Sequence, residues 1–342
     1  MRLEAVVYLC GIFLFKNYYY TSMSATLWIL TGPTASGKTG IGFNVAQRIE
    51  GEIISADSML IYRGMDIGTA KPSSSMRERV SHHLIDIVNP WENYSVGKYV
   101  KDAEGVISDL DKREKNFVII GGSPLYIKGI IDGIFSGPEA DWSIREELKK
   151  LANDKGNTFV HGILQRIDPV TAQKLHPNDL RRIIRAIEVY KKTRKQISLL
   201  HRQYRRGKRR YNFKIICMAR GKEDLYRRID DRVETMFKKG LVDEVKSLLG
   251  NSHGLSRQAR QALGYKEVIR HLEGECTLNE AKEMIKLNTR RFSKRQMTWF
   301  RSFPNVCWLE AKEGRGAKVI SEKIILKFKK YSKEQTNGAN TY

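Results

Sequence analysis

The chain has 342 residues, of which 41% are hydrophobic and 29% charged. This composition is typical of a folded chain of about two domains and excludes a polytopic membrane protein. The four cysteines stand far apart without a CxxC pair, which excludes a disulfide framework and a recognisable zinc site, so we expect a cytoplasmic protein.

The charge is unevenly distributed along the chain. Lys and Arg number 61 against 38 Asp and Glu, a net charge of +23. Residues 1–140 are close to neutral, and residues 141–342 carry the whole excess. Such an excess in one half favours a polyanionic partner, and nucleic acid more than a membrane surface.

The N-terminal segment 1–22 contains an apolar run at residues 5–15. This run is shorter than the roughly 20 residues of a spanning helix, and no cleavage site of a secretory signal follows it. We therefore expect residues 1–22 to be a leader outside the fold.

From residue 26 the pattern alternates between strands and helices. Apolar runs predict strands, and apolar residues at helical spacing predict helices. The predicted elements, in chain order, are a strand at 26–31, a helix at 38–49, and strands at 52–56 and 117–120. This order predicts an α/β fold with a doubly wound parallel sheet, in which ligands bind at the carboxyl ends of the strands.

The strand signals fade after Gly133 and return once. The later predictions are helices at 142–152 and 178–192, a basic loop at 202–210, a strand at 213–218, and helices from Asp224 onward and at 278–300. We therefore expect a core of residues 23–132 and 212–325, a helical insertion at 133–211 that contacts the partner, and a polar tail at 326–342 that frays from residue 330.

A phosphate-binding loop follows the first strand. The eight residues that match G-x-x-x-x-G-K-[ST] are Gly32, Pro33, Thr34, Ala35, Ser36, Gly37, Lys38 and Thr39. Backbone N–H groups of such a loop surround phosphate oxygens, the lysine reaches a terminal phosphate, and the threonine hydroxyl can bind Mg²⁺. A kinase, an NTPase and a transferase with a diphosphate leaving group would all use this loop.

An acidic residue, Asp57, ends the second strand, close to the phosphate loop in any doubly wound sheet. Its position is equally compatible with a metal ligand, a general base and a helix N-cap. The pair His82-His83 farther along is more typical of a structural role than of a ligand set.

Six segments occur in the order of one known family. They are GPTASGKT, SADSMLIYRGMDIGTAKP, HHLIDI, GGSPLYIKGIIDG, HPNDLRRIIRAIEV and TRRFSKRQMTWFR. Over residues 26–308 the chain closely resembles the tRNA dimethylallyltransferases, also called tRNA isopentenyltransferases. The resemblance implies a P-loop NTPase-like fold and transfer of a dimethylallyl group from dimethylallyl diphosphate to N6 of adenosine 37, beside the anticodon, in tRNAs that read codons starting with U. The phosphate loop, through Thr39, leads us to expect Mg²⁺ as cofactor, and we expect a monomer.

The resemblance assigns roles to residues of the reaction site. It implies Asp57 as general base, Ser123 as its assistant and Lys38 as a catalytic cation, with the phosphate loop and Arg232 binding the diphosphate. Ser123-Pro124 stands where relatives commonly have Thr-Gly. Proline has no backbone N–H, so the amide at position 124 cannot donate a hydrogen bond. Leu60 replaces a glutamine of some relatives.

The expected tRNA contacts are mostly basic. They are Asp57, Ser58, Met59, Leu60, Arg145, Arg181, Arg182, Arg185, Arg260, Lys294, Arg295, Gln296 and Arg301. Lys286, Arg290, Lys294 and Arg301 recur on one face of a predicted helix. A solvated helix face is the alternative explanation.

Two other functions compete with prenyl transfer. A P-loop kinase of a small metabolite would not need so basic a second half. A non-enzymatic, ATP-regulated RNA-binding protein would leave Asp57 and Ser123 without a role.

Overall fold

The structure is a computed structural model, which describes residues 26–134, 137–205, 211–311 and 316–339. The expected leader 1–22 and residues 206–210 of the basic run lie outside the described residues.

In the described part of the chain, six strands form one sheet in the order β3-β2-β4-β1-β5-β6, and all neighbours are parallel. The strands are β1 (Thr26–Thr31), β2 (Glu52–Ser55), β3 (His82–His83), β4 (Phe117–Gly121), β5 (Asn212–Ala219) and β6 (Val306–Glu310). The doubly wound α/β prediction is confirmed.

Two strands escaped prediction, and both lie at the edges of the sheet. β3 has only two residues, and β6 is half-exposed along most of its length. Short, partly solvated edge strands lack the continuous apolar run that marks a buried parallel strand.

The central strands are buried because helices cover both faces of the sheet. Ile29 of β1 pairs with Ile119 of β4 and with Ile215 of β5, and all three point into one apolar cluster. The next residues, Leu30 and Ile120 among them, point into the cluster on the opposite face. This alternation follows from the two-residue period of a strand.

Helices α1–α4 and α10–α15 surround the sheet. They are α1 (Lys38–Arg48), α2 (Ser74–Arg79), α3 (Val96–Lys112), α4 (Pro124–Asp132), α10 (Lys222–Lys238), α11 (Leu241–Leu249), α12 (Arg257–Arg260), α13 (Tyr265–Leu272), α14 (Leu278–Arg301) and α15 (Ala317–Ala339).

Five helices between α4 and β5 share an apolar core of their own, which includes Leu148, Leu164, Ile183 and Ile187. They are α5 (Trp142–Lys155), α6 (Asn157–Ile167), α7 (Pro169–Ala172), α8 (Leu180–Thr193) and α9 (Ile197–Arg205). The prediction of a loop at 202–210 is wrong for its first four residues, which continue α9.

Helix α15 crosses the boundary expected at residue 325. Ile320, Ile324 and Phe328 recur at helical spacing along α15 and are buried, and the Phe328 ring stacks on Trp28 with 4.7 Å between centroids. The helix α15 continues to Ala339, beyond the residue from which fraying was expected. Among the described residues, no helix is both long and apolar enough to cross a bilayer.

Candidate active site at the carboxyl ends of the central strands

The phosphate loop connects β1 to α1 and is shaped by two glycines. A Cβ atom at Gly32 would lie 2.8 Å from the Met218 carbonyl oxygen, so only glycine lets the loop pass the end of β5. Gly37 has a φ of +91°, which favours glycine, and it precedes the first residue of α1. The first N–H groups of α1 lack intrahelical acceptors and thus suit phosphate oxygens.

Lys38, Asp57 and Arg232 are brought together beside this loop. The Lys38 ammonium donates to the Pro33 carbonyl at 3.3 Å. Burial lowers the pKa of Lys38 to about 8; the Asp57 carboxylate opposes this decrease and Arg232 adds to it. Burial also lowers the pKa of Arg232, again opposed by Asp57. Two cations and one carboxylate predicted from sequence thus share one electrostatic environment.

The ends of β2 and β4 approach each other closely. A Cβ at Gly121 would lie 2.0 Å from the Ala56 carbonyl oxygen, and the Ser123 N–H donates to that same oxygen at 3.1 Å. The Ser58 N–H donates to Ser123 Oγ at 2.9 Å. Ser123 therefore supports the turn that carries Asp57.

Asp57 itself is held in this turn by one of its two carboxylate oxygens. Oδ1 accepts the Met59 N–H at 2.9 Å. Ser58, Met59 and Leu60 follow as half-buried residues of the turn. The Leu60 carbonyl accepts the Asp86 N–H at 3.1 Å, a contact that does not depend on the side chain at position 60.

Pro124 is the first residue of α4. The N–H at the first position of a helix has no partner within the helix, so proline is tolerated there. The departure at this position thus costs the helix no hydrogen bond.

Two tyrosines to which sequence analysis assigned no role lie near Asp57. The Tyr99 and Tyr126 rings stack with 3.8 Å between centroids, and the Tyr99 hydroxyl donates to the Ser55 carbonyl at 3.0 Å. Burial raises the pKa of both hydroxyls, and the negative charge of Asp57 contributes to this increase. Both tyrosines therefore stay neutral beside the carboxylate.

Two arginines that sequence reasoning missed donate hydrogen bonds to carbonyl oxygens of the phosphate loop. Arg220 Nε donates to the Ser36 carbonyl and Arg228 Nε to the Ala35 carbonyl, both at 2.9 Å. Arg228 precedes Arg232 by four residues on α10, so both lie on one helical face. That spacing was the available signal.

Gln296 was expected to touch tRNA, and the structure buries it between the phosphate loop and the end of β4. It is 3% exposed; Oε1 accepts the Thr34 N–H at 2.8 Å, and Nε2 donates to the Gly122 carbonyl at 2.6 Å. Its amide is thus committed to the backbone of the site in this structure.

The other expected tRNA residues divide into two groups. The exposed ones, on α8 and α14, are Arg181, Arg182, Lys294, Arg295 and Arg301. Arg182 among these also pairs with Asp179 at 3.2 Å. The less exposed residues are engaged in ion pairs: Arg145 and Arg185 with the buried Glu188, and Arg260 with Glu273.

The face of α14 on which Lys286, Arg290, Lys294 and Arg301 recur is not uniformly free to contact RNA. Lys286 pairs with Glu234 at 2.9 Å and with Glu283 at 2.7 Å, and Arg290 pairs with Asp230. Lys294 and Arg301 alone among the four expected residues are exposed.

Thr39 is the second residue of α1 and is exposed beside the loop. No group of three or more His, Cys, Asp or Glu side chains capable of holding a metal occurs among the described residues. Mg²⁺ usually keeps several waters and is held by one or two protein groups together with substrate phosphates. The Thr39 hydroxyl fits such a shared site.

Comparison with known proteins shows the same arrangement of sequence and fold in one family. The sequence model described as IPP transferase matches residues 60–303. The tRNA dimethylallyltransferase of Carboxydothermus hydrogenoformans is 47% identical over 304 residues, which cover 89% of this chain and 97% of that protein. That of Acetivibrio thermocellus is 45% identical over 304 residues, which cover 89% of this chain and 96% of that protein.

Solved structures agree with the sequence relatives. The full-length tRNA isopentenylpyrophosphate transferase of Bacillus halodurans is 37% identical with a TM-score of 0.68, covering 93% of this chain and 99% of that chain. A eukaryotic dimethylallyltransferase acting on tRNA is 26% identical with a TM-score of 0.70, covering 85% and 75%. On the family match and these identities together, the chain belongs to the IPP transferase family.

Proposed function

We propose that this protein transfers the dimethylallyl group of dimethylallyl diphosphate to N6 of adenosine 37 in tRNAs that read codons starting with U. The products are N6-(dimethylallyl)adenosine and diphosphate. The observation that carries the proposal is the grouping of Lys38, Arg232 and Asp57 beside the phosphate loop. It provides cations for a leaving diphosphate next to a carboxylate for an attacking amine.

The reaction requires charge stabilisation at the leaving group. As N6 attacks the allylic carbon, the carbon–oxygen bond to the diphosphate breaks and negative charge grows on that oxygen. Lys38, Arg232 and the N–H groups at the start of α1 are fixed donors for this charge. Mg²⁺, when held by Thr39 and the diphosphate, would neutralise part of it.

The attacking amine must lose a proton. The N6 lone pair is delocalised into the purine ring, so removal of the N6 proton as the new bond forms makes attack feasible. We assign this proton to Asp57, whose Oδ1 is fixed by the Met59 N–H. The base must leave the stacked anticodon loop to reach this carboxylate.

The basic side chains exposed on α8 and α14 suit the anticodon stem-loop. Arg181, Arg182, Lys294 and Arg301 are exposed. Phosphate contacts of this kind orient RNA without reading its sequence. We expect the protein to act as a monomer in the cytoplasm, where tRNA is modified.

The test is transfer of labelled dimethylallyl diphosphate to an unmodified tRNA transcript, with a transcript that carries guanosine at position 37 as control. We expect N6-(dimethylallyl)adenosine in the first transcript only, with ATP neither required nor hydrolysed. ATP hydrolysis or metabolite phosphorylation without prenyl transfer would contradict the proposal. The relatives compared above are named as dimethylallyl or isopentenylpyrophosphate transferases of tRNA, which supports neither the kinase nor the non-enzymatic alternative.

A further inference from the structure

Gln296 connects two backbone segments that lie far apart in the sequence. Its Oε1 accepts the Thr34 N–H of the phosphate loop at 2.8 Å, and its Nε2 donates to the Gly122 carbonyl at the end of β4 at 2.6 Å. The side chain is 3% exposed. A buried amide needs a partner for its oxygen and its nitrogen, and these two contacts supply both.

Gly122 is also the position where Gln296 meets Lys38. A Cβ atom at Gly122 would lie 2.8 Å from Gln296 Nε2 and 3.2 Å from Lys38 Nζ. The amide and the ammonium therefore converge on the same backbone position, and a side chain at position 122 would displace at least the Gln296 amide. Gln296 thus contacts the phosphate loop and the end of β4, and its amide lies close to the Lys38 ammonium.

The helix that carries Gln296 is well anchored. Thr289, Ser293 and Phe300 are buried on the same side of α14, with exposures of 8%, 1% and 0%. Lys294 lies on the exposed side. A side chain on a packed helix can hold a site more rigidly than one on a loop.

We propose that Gln296 is a positioning residue for the diphosphate: it fixes the Thr34 peptide and so sets the loop conformation in which the following N–H groups face the phosphates. It touches no reacting atom. This inference rests on the proposed function only in naming dimethylallyl diphosphate as the ligand, since the geometry concerns any diphosphate in the loop.

The first experiment measures binding of inorganic diphosphate with Mg²⁺ by calorimetry, for the full chain and three variants. Gln296→Met keeps the length of the side chain and removes both hydrogen bonds, and we expect about ten-fold weaker binding. Thr298→Ala changes an exposed residue of the same helix and should bind as the unchanged chain does. Circular dichroism and Tm establish that the variants fold.

The second variant, Gln296→Glu, separates hydrogen bonding from packing. Its protonated carboxyl can accept from the Thr34 N–H and donate to the Gly122 carbonyl, as the amide does. Its ionised form cannot donate and places a negative charge beside Lys38. The ratio of variant to wild-type affinity should therefore fall as the pH rises from about 5 to about 7.5. Lys38, Asp57 and Arg232 are present in both proteins, so the ratio reports the added carboxyl together with its effect on these neighbours.

Kinetics provide a further measurement. In both Gln296 variants we expect a higher KM for dimethylallyl diphosphate with little change in the KM for tRNA. A diphosphate affinity of Gln296→Met within about two-fold of wild type would overturn the inference. A ratio of Gln296→Glu to wild-type affinity that does not change with pH would overturn it too. If Gln296→Met fails to fold, Gln296→Glu decides. Failure of the proposed function looks different, because the unchanged chain would then bind diphosphate and transfer nothing.

Discussion

Arg145 and Glu188 form a bidentate ion pair in the helical insertion, with Nε to Oε1 at 2.8 Å and Nη2 to Oε2 at 2.9 Å. Arg185 adds a third hydrogen bond at 2.6 Å, and the Asp141 N–H a fourth at the same distance. The Glu188 side chain has no exposed surface. This carboxylate therefore joins α5 to α8, and Arg145 is paired with it in the protein without RNA.

The first prediction concerns the stability of the insertion. Glu188→Ala leaves two arginines without their shared carboxylate in a largely buried position, and we expect a loss of about 3–5 kcal/mol in the free energy of unfolding. Denaturant unfolding and hydrogen exchange of α5–α9 measure it. Arg181→Ala is the matched control, because Arg181 is exposed and its loss should leave the unfolding free energy unchanged. Equal stability of the two variants would contradict the structural role of Glu188.

The second prediction concerns acid. Burial alone would raise the pKa of Glu188, but hydrogen bonds from Arg145 and Arg185 lower it below its ordinary value of 4.5. A carboxylate whose pKa is lower in the folded state stabilises the fold above its unfolded pKa, and this stabilisation is lost as the pH falls through the folded pKa. We therefore expect the Tm of the unchanged chain to decrease as the pH is lowered below about 4.5. Glu188→Gln should lower Tm near neutral pH and weaken this acid dependence; an unaltered acid dependence would refute it.

The third prediction concerns the titration of Lys38. Burial lowers its pKa to about 8. Because the ammonium form attracts the diphosphate, kcat/KM for dimethylallyl diphosphate should decrease as the pH rises through about 8. Lys38→Arg keeps the charge and should move this decrease to above about pH 10, with lower activity throughout. A decrease near pH 8 that persists in Lys38→Arg would assign it to another group.

The parts of the site that local sequence predicts are those built from consecutive residues. The phosphate loop, the carboxylate after β2 and the glycines after β4 each occupy one short segment, so pattern and strand order were enough to bring them together. Arg232 came from family resemblance, although its spacing from Arg228 pointed to the same helical face.

The parts that sequence could not predict depend on long-range contacts. Gln296 and Thr34 are 262 residues apart, and no local pattern distinguishes a glutamine that faces the loop from one that faces solvent. The same holds for Lys286 and Arg290, each of which pairs with an acidic residue of α10. Charge spacing predicted a common helical face but could not show which members the neighbouring helix neutralises.

The fourth prediction tests the general base. Asp57→Ala should reduce kcat by about 100- to 10,000-fold, because the N6 proton then lacks an acceptor, while tRNA binding persists. Asp57→Asn is the closer control, since its side-chain oxygen can still accept the Met59 N–H but cannot accept the proton. Single-turnover kinetics together with filter binding separate the two effects. Near wild-type turnover in either variant would show that another group accepts the proton.

The fifth prediction uses the division of α14 into exposed and neutralised cations. Lys294 and Arg301 are exposed, whereas the Lys286 side chain is 15% exposed and pairs with Glu234. If the exposed pair contacts RNA phosphates, Lys294→Ala and Arg301→Ala should raise the Kd for tRNA. Each should also reduce the slope of log Kd against log salt by about 0.7 to 0.9, the contribution of one phosphate contact. Lys286→Ala is the control, because it removes the same charge from the same helix. The Lys286 ammonium is already paired with Glu234, so the slope of log Kd against log salt should stay unchanged in this variant. Filter binding across a salt series measures these slopes. Equal slopes for all three variants would mean that the net charge of the protein attracts tRNA and that the exposed face of α14 makes no specific phosphate contact.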